Sequence, residues 1–208
     1  MSTKSENYEF PSYYNFPPFF TLQPNSTTKH AQLQKWSTFI LSYARHHRLF
    51  KLSLSDILDT ELFHNKKLGK RLGREDATEV VEFMRKQGRA EWIISGGSHS
   101  KGITSSSSGT GASGANSNGN TSDNNSGVFW IWWKNVEEWG ETIADWVDET
   151  GQKNMVLTLY ELIEGETTLS QEFHGLHSEI LQRALAGLVK RGKAQVFGQE
   201  DQQGVKFF

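Results

Sequence analysis

The chain has 208 residues, seven tryptophans, thirteen phenylalanines, no cysteine and a formal net charge of −2. This length suits one or two domains, and the missing cysteine excludes disulfide frameworks, cysteine zinc sites and thiol nucleophiles. No stretch approaches the roughly 18 apolar residues of a membrane span, and the first residues lack the basic-then-apolar order of a secretory leader, so the sequence reads as soluble and cytosolic.

The chain begins with two proline-aromatic strings, Phe10-Pro11-Ser12-Tyr13-Tyr14 and Phe16-Pro17-Pro18-Phe19-Phe20. Adjacent prolines remove backbone donors and fix φ near the polyproline value, so residues 1–28 are expected to be an extended arm. So much aromatic surface on a segment that cannot pair with itself predicts a docking peptide, seated in a groove of a partner or folded back over its own core. Asn25-Ser26-Thr27 and Asn124-Asn125-Ser126 match glycosylation sequons, which have no role without secretion.

Trp36, Phe39, Ile40 and Tyr43 follow at the i, i+3, i+4, i+7 spacing of an amphipathic helix. Two more helices are predicted near Ser55–Phe63 and Arg74–Gln87, separated by the basic run Lys66-Lys67-Leu68-Gly69-Lys70-Arg71, which reads as a solvated turn. Two β-type runs, Ala90–Ile94 and Val128–Trp133, flank a glycine, serine and asparagine stretch that cannot offset its own ordering entropy. They are expected to form a hairpin whose loop, residues 98–127, is expanded and disordered, since closure entropy grows only logarithmically with length.

The second half repeats the first at an offset of 103 or 104 residues, with Trp139, Thr142, Ile143 and Trp146 in place of the first stripe. Thr158 is the expected N-cap of a short helix over Leu159–Ile163, and a third helix is predicted from His177 to Arg191. A strand, the wing Gly198–Gly204 and a last strand over Val205–Phe208 complete it. The expected fold is therefore α+β and mainly helical: an extended arm (1–28) and two tandem winged-helix domains (29–133 and 134–208).

Winged helices often bind DNA through the third helix, and a nucleic-acid-binding or transcription-associated protein is the alternative reading. Residues 1–97 hold 14 Lys and Arg against 10 Asp and Glu, whereas residues 128–208 hold 7 against 13, and neither third helix carries the clustered cations that phosphates require. The acidic half should instead receive a basic amphipathic helix. His174 and His177 lack the carboxylate pattern of a metal site, and the glycine-rich stretch lacks a Gly-Lys-Ser/Thr ending. Phe129-Trp130-Ile131-Trp132-Trp133 reads as a core strand rather than a membrane wedge. No catalytic constellation, metal site or cofactor site emerges.

The strings Phe16–Asn25, Glu137-Glu138-Trp139-Gly140, Thr158–Leu162, Glu172-Phe173-His174-Gly175-Leu176 and Gly204–Phe208 occur in an order that resembles the vacuolar protein sorting-associated protein 25 family, the small subunits of the ESCRT-II complex. The resemblance spans nearly the whole chain outside the insert. It implies a non-catalytic subunit, present in two copies per complex, that serves the sorting of ubiquitinated cargo into multivesicular endosomes. It further implies a cytoplasmic protein recruited to the endosomal membrane indirectly. Proline-aromatic motifs would hold the two larger ESCRT-II subunits, the first represented by Pro11 and Tyr14 and the second by Phe16, Pro17, Pro18, Phe19 and Phe20. The second winged helix would receive the subunit that initiates ESCRT-III assembly.

Overall fold

The structure is a computed structural model that describes residues 8–94, 125–198 and 203–208. The expected disorder of 98–127 falls, as far as residue 124, outside the described residues, whereas residues 125–127 are the start of a strand and not part of a loop.

The first half runs α1 (Ser26–His46), β1 (Lys51–Ser53), α2 (Leu54–Ile57), a hairpin of β2 (His64–Asn65) and β3 (Lys70–Arg71), α3 (Arg74–Lys86), β4 (Ala90–Ile94) and β5 (Asn125–Ile131). The second runs α4 (Val136–Glu149), β6 (Val156–Thr158), α5 (Leu159–Glu164), α6 (Ser178–Lys190), β7 (Ala194–Phe197) and β8 (Gly204–Phe207). Each half closes an antiparallel three-stranded sheet, β1-β5-β4 and β6-β8-β7. The chain is thus α+β, and each half follows the helix, strand, helix, helix, hairpin order of a winged helix. Among the described residues no helix is long and apolar enough to cross a membrane.

Local chemistry sets the boundaries. Asn25 caps α1 by accepting from the amides of Thr27 and Thr28, while Asn135 with Glu138 and Thr158 with Glu161 form reciprocal capping boxes on α4 and α5. The Thr158 cap stands where the sequence puts it. The helix expected over Ser55–Phe63 stops at Ile57, because the Thr60 hydroxyl donates to the Ile57 carbonyl at 2.7 Å and the Thr60 carbonyl then accepts the amides of Phe63 and His64. The chain so turned enters the β2–β3 hairpin, in which residues 66–69 form the expected turn with Lys66 and Lys67 exposed, and Lys70 and Arg71 form the second strand. The three-residue strands β1 and β6 each complete the sheet of their half.

Two hydrophobic cores result, one around Trp36, Phe39, Phe63 and Met84, the other around Trp139, Phe173, Leu181 and Phe207. Strand β5 and the residue after it serve both. Phe129 and Ile131 are fully buried in the first core, whereas Trp130 and Trp132 on the opposite face belong to the second, as does Phe50. Strict alternation of side chains makes this possible. The expectation of a core strand over Phe129–Trp133 holds as far as Ile131, where the strand ends, and its core residues are buried on both faces, as a partition between two halves.

The junction is reinforced by charge. Glu172 accepts from Arg45 at 2.7 Å and from Lys134 at 2.5 Å, Arg48 donates to the His174 carbonyl at 2.7 Å, and the Trp133 indole donates to the Leu49 carbonyl at 3.1 Å. Burial tends to raise the Glu172 carboxyl, but the Lys134 hydrogen bond and the Lys134 and Arg45 charges outweigh it and hold the group below its ordinary 4.5. A carboxyl depressed on folding stabilises above its unfolded value and loses that contribution as pH falls through the folded value. We therefore expect the acid transition of the wild type, followed by tryptophan emission below about pH 4.5, to exceed in steepness that of Glu172→Gln by a difference worth ~1 kcal/mol or less, given the partial exposure of the triad. Superimposable acid curves for the two proteins would show that the triad adds nothing to the junction.

Candidate docking surface

Residues 8–25 are placed against the first core, and the arm is not extended. It forms two 3-10 turns: Ser12–Asn15, closed by hydrogen bonds from the Tyr14 amide to the Pro11 carbonyl and from the Phe16 amide to the Tyr13 carbonyl, and Pro17–Phe20, closed by those from the Phe19 amide to the Phe16 carbonyl and from the Thr21 amide to the Pro18 carbonyl. A proline φ near −65° suits a helical turn as well as a polyproline helix, and prolines at the start of a turn remove only donors that would be unpaired there. Sequence fixes φ, and packing chose ψ.

Buried polar side chains of the first half hold the arm backbone. Gln32 donates to the Phe19 carbonyl at 2.8 Å and accepts from the Gln23 amide at 3.1 Å; Trp36 donates to the same carbonyl at 3.1 Å. Asn65 in β2 donates to the Tyr14 carbonyl at 3.0 Å. Phe19 stacks on Trp36 with centroids 4.2 Å apart. The Tyr14 hydroxyl donates to the Glu61 carbonyl, and burial, with the Glu61 charge second, pushes its pKa up to about 12, so it remains a neutral donor at any physiological pH.

The arm residues named from the sequence therefore divide. Tyr14, Phe19 and Phe20 are buried, Phe20 to 3% exposure, and they anchor the arm over its own core, one of the two dispositions expected from the sequence. Pro11 is half-buried. Phe16 is 60% exposed, and Pro17 and Pro18 beside it are exposed. These three form a contiguous exposed apolar ridge beside two depressions. One, of about 370 Å³, is lined by Tyr14, Asn15, Glu61, His64, Lys66 and Lys67. The other, of about 340 Å³ and mostly apolar, lies against α1 and is lined by Tyr13, Phe16, Pro18, Ala31, Gln32 and Lys35. Three hydrophobes that would be free in an extended arm are internal, and a preformed aromatic-proline crest remains.

The second half presents Met155, Val156, Tyr160, Leu169 and Phe197 to solvent. Sequence reasoning singled out none of these, and its only signal there was the acidic charge. A further groove of about 550 Å³ lies where α4 meets the first half, with Glu137, Glu138 and Asp145 facing Arg45 and Arg89. On the third helices Arg85 pairs with Glu82 at 2.8 Å on α3 and Arg183 with Glu179 at 2.9 Å on α6. His174 bonds Thr168 at 3.0 Å and His177 accepts from the Glu179 amide at 3.2 Å, so both serve their own turns. Among the described residues no group of three or more metal-ligating side chains assembles.

Residues 13–177 match the model of a protein family described as ESCRT-II complex subunit. The chain is 39% identical over 201 residues to vacuolar protein-sorting-associated protein 25 of Xenopus laevis, covering 97% of this chain and 99% of that one. The human protein of that name is 38% identical over 202 residues, with 97% and 98% covered, and that of Dictyostelium discoideum 34% over 203, with 97% and 96% covered. In three dimensions the fold is similar to the crystal structure of subunit VPS25 of the endosomal trafficking complex ESCRT-II, with a TM-score of 0.73, 26% identity and coverage of 96% and 98%. It is also similar to a chain of the ESCRT-II complex VPS22/VPS25/VPS36, with a TM-score of 0.72, 27% identity and coverage of 95% and 98%. Full-length similarity in sequence and in fold, with the motif residues placed at caps, cores and the arm, shows that the chain belongs to the ESCRT-II subunit family of vacuolar protein-sorting-associated protein 25.

Proposed function

We propose that this chain is a non-catalytic assembly subunit that two larger ESCRT-II subunits, relatives of VPS22 and VPS36, hold through its arm. Two copies enter each complex. The observation that carries this reading is the ridge of Phe16, Pro17 and Pro18, apolar and exposed on a backbone already fixed by Gln32, Trp36 and Asn65. Preordering of this kind lowers the conformational cost of binding. Tyr14, Phe19 and Phe20 give the ridge its shape, and Pro11 flanks it. The chain is read as two tandem winged-helix units, 29–133 and 134–208. The second, with its acidic charge and exposed Met155, Val156 and Tyr160, suits the helix of an ESCRT-III initiating subunit. The complex so linked sorts ubiquitinated cargo at endosomes, where its partners recruit this cytoplasmic subunit.

Co-expression with the two larger subunits tests the core of this reading. The expected result is a stable complex whose native mass requires two copies of this chain. Failure to co-purify, or a mass that accommodates one copy, would overturn it. A salt-sensitive shift of duplex DNA by the isolated chain would favour the nucleic-acid alternative.

A further inference from the structure

The β2–β3 hairpin and the arm are joined into one surface. Asn65 bonds the Tyr14 carbonyl with its Nδ2 and the Leu68 amide with its Oδ1, at 3.0 and 3.1 Å, so one buried side chain fixes both the turn of the hairpin and the arm. Strand β3 packs against the second arm turn, and Lys66 and Lys67 share a depression with Tyr14 and Asn15. Arg71 is neutralised by Asp59 at 2.7 Å. Lys66, Lys67 and Lys70 are exposed, and none of them forms an ion pair among the described residues. On the α1 side, Lys35 stands 5.7 Å over the Tyr13 ring. The crest is thus bordered by cations on both flanks. The one carboxylate lining the hairpin-side depression, Glu61, already accepts from the Tyr43 hydroxyl at 3.1 Å.

A solvated basic run selects no partner by itself. Here the cations are held at a fixed offset from an apolar anchor. We propose that the surface receiving this arm is an apolar socket for Phe16 with an acidic rim, whose carboxylates face Lys66, Lys67 and Lys70. This inference rests on the docking reading above and adds the chemistry of the partner to it. Oppositely charged rims set encounter rate and register more than final affinity, while the buried aromatic sets the lifetime of the complex. An anionic lipid surface is the competing occupant for a basic hairpin, but it gains nothing from a preformed aromatic crest. Leu68, the one apolar side chain of the hairpin tip, packs half-buried against the first core rather than facing outward.

Association of the full chain with the purified pair of larger subunits, followed by stopped flow across a salt series, tests the inference. Lys66→Gln/Lys67→Gln/Lys70→Gln should slow association about 10-fold or more at low salt and flatten its salt dependence, with little change in dissociation. All three side chains are exposed, so the melting temperature should not move. Phe16→Ala should instead speed dissociation. If Phe16→Ala leaves binding intact, the docking reading itself fails. If Phe16→Ala weakens binding while the triple variant associates as fast as the wild type, with the same salt slope, the acidic rim alone is refuted. Lysine-dependent sedimentation of the isolated chain with phosphatidylserine-containing vesicles would assign the hairpin to lipid and overturn the inference, whereas absence from the vesicle pellet supports it.

Discussion

Phe20→Ala is expected to unfold the isolated chain about 10 °C earlier than the wild type. Phe20 is 3% exposed between Tyr14 and Trp36, its ring centroid 5.4 Å from one and 5.7 Å from the other. Truncating a buried phenylalanine removes its transfer energy and leaves a cavity, together about 3–5 kcal/mol. In a cooperative unit of this size each kcal/mol is worth roughly 2–4 °C. The informative comparison is Phe16→Ala, four residues away in the same string. Its ring is 60% exposed, so the melting temperature should stay within a degree or so. Binding to the larger subunits should fall by ~2–4 kcal/mol, on the order of 30- to 1000-fold. Calorimetry of the free variants and titration against the partner pair separate the two effects. If Phe20→Ala left stability untouched, the arm would not be packed on this chain in solution.

Trp130→Ala should be comparably severe, and its effect should appear in both halves. Trp130 is 2% exposed, lies in the second core and meets His177 at a ring distance of 4.8 Å, with the Arg183 guanidinium 5.8 Å over its face. Its neighbours Phe129 and Ile131 are fully buried in the first core. Loss of the indole should cost about 3–5 kcal/mol. Because one backbone segment carries both sets, amide exchange should accelerate in α1 and α3 as well as in α4 and α6. Acceleration confined to α4 and α6 would mean that the halves unfold independently and that the shared strand does not couple them.

The repeated helix stripes, the cap at Thr158 and the strand of alternating aromatics were legible because each is a local pattern that one segment states alone. The disposition of the arm was not. Proline fixes one dihedral and leaves the other to its surroundings, and those surroundings are Gln32, Trp36 and Asn65, which are 11 to 51 residues from the carbonyls they bind and carry no local signal. The division of Phe16 from Phe19 and Phe20 is likewise a property of packing, since the three share a side chain and lie within five positions. The basic hairpin was visible as composition, but its attachment to the arm depends on Asn65, a buried amide that reads in sequence as an ordinary loop residue.

The two-sided burial of β5 also bears on how this family can tolerate change in length. A strand with one wet face can slip by two residues and keep its pattern, but here a slip of one would exchange Phe129 and Ile131 with Trp130 and Trp132 and misfit both cores together. Added residues between β4 and β5 must therefore be taken up before that segment is reached. The register of the pair shifts between Trp92 and Ile94, on the loop side of the fixed pairs Glu91–Trp130 and Trp92–Phe129. Such an irregularity uncouples the end of a hairpin from its base. The connection can thus change in length while the geometry relating the arm to the acidic half stays constant.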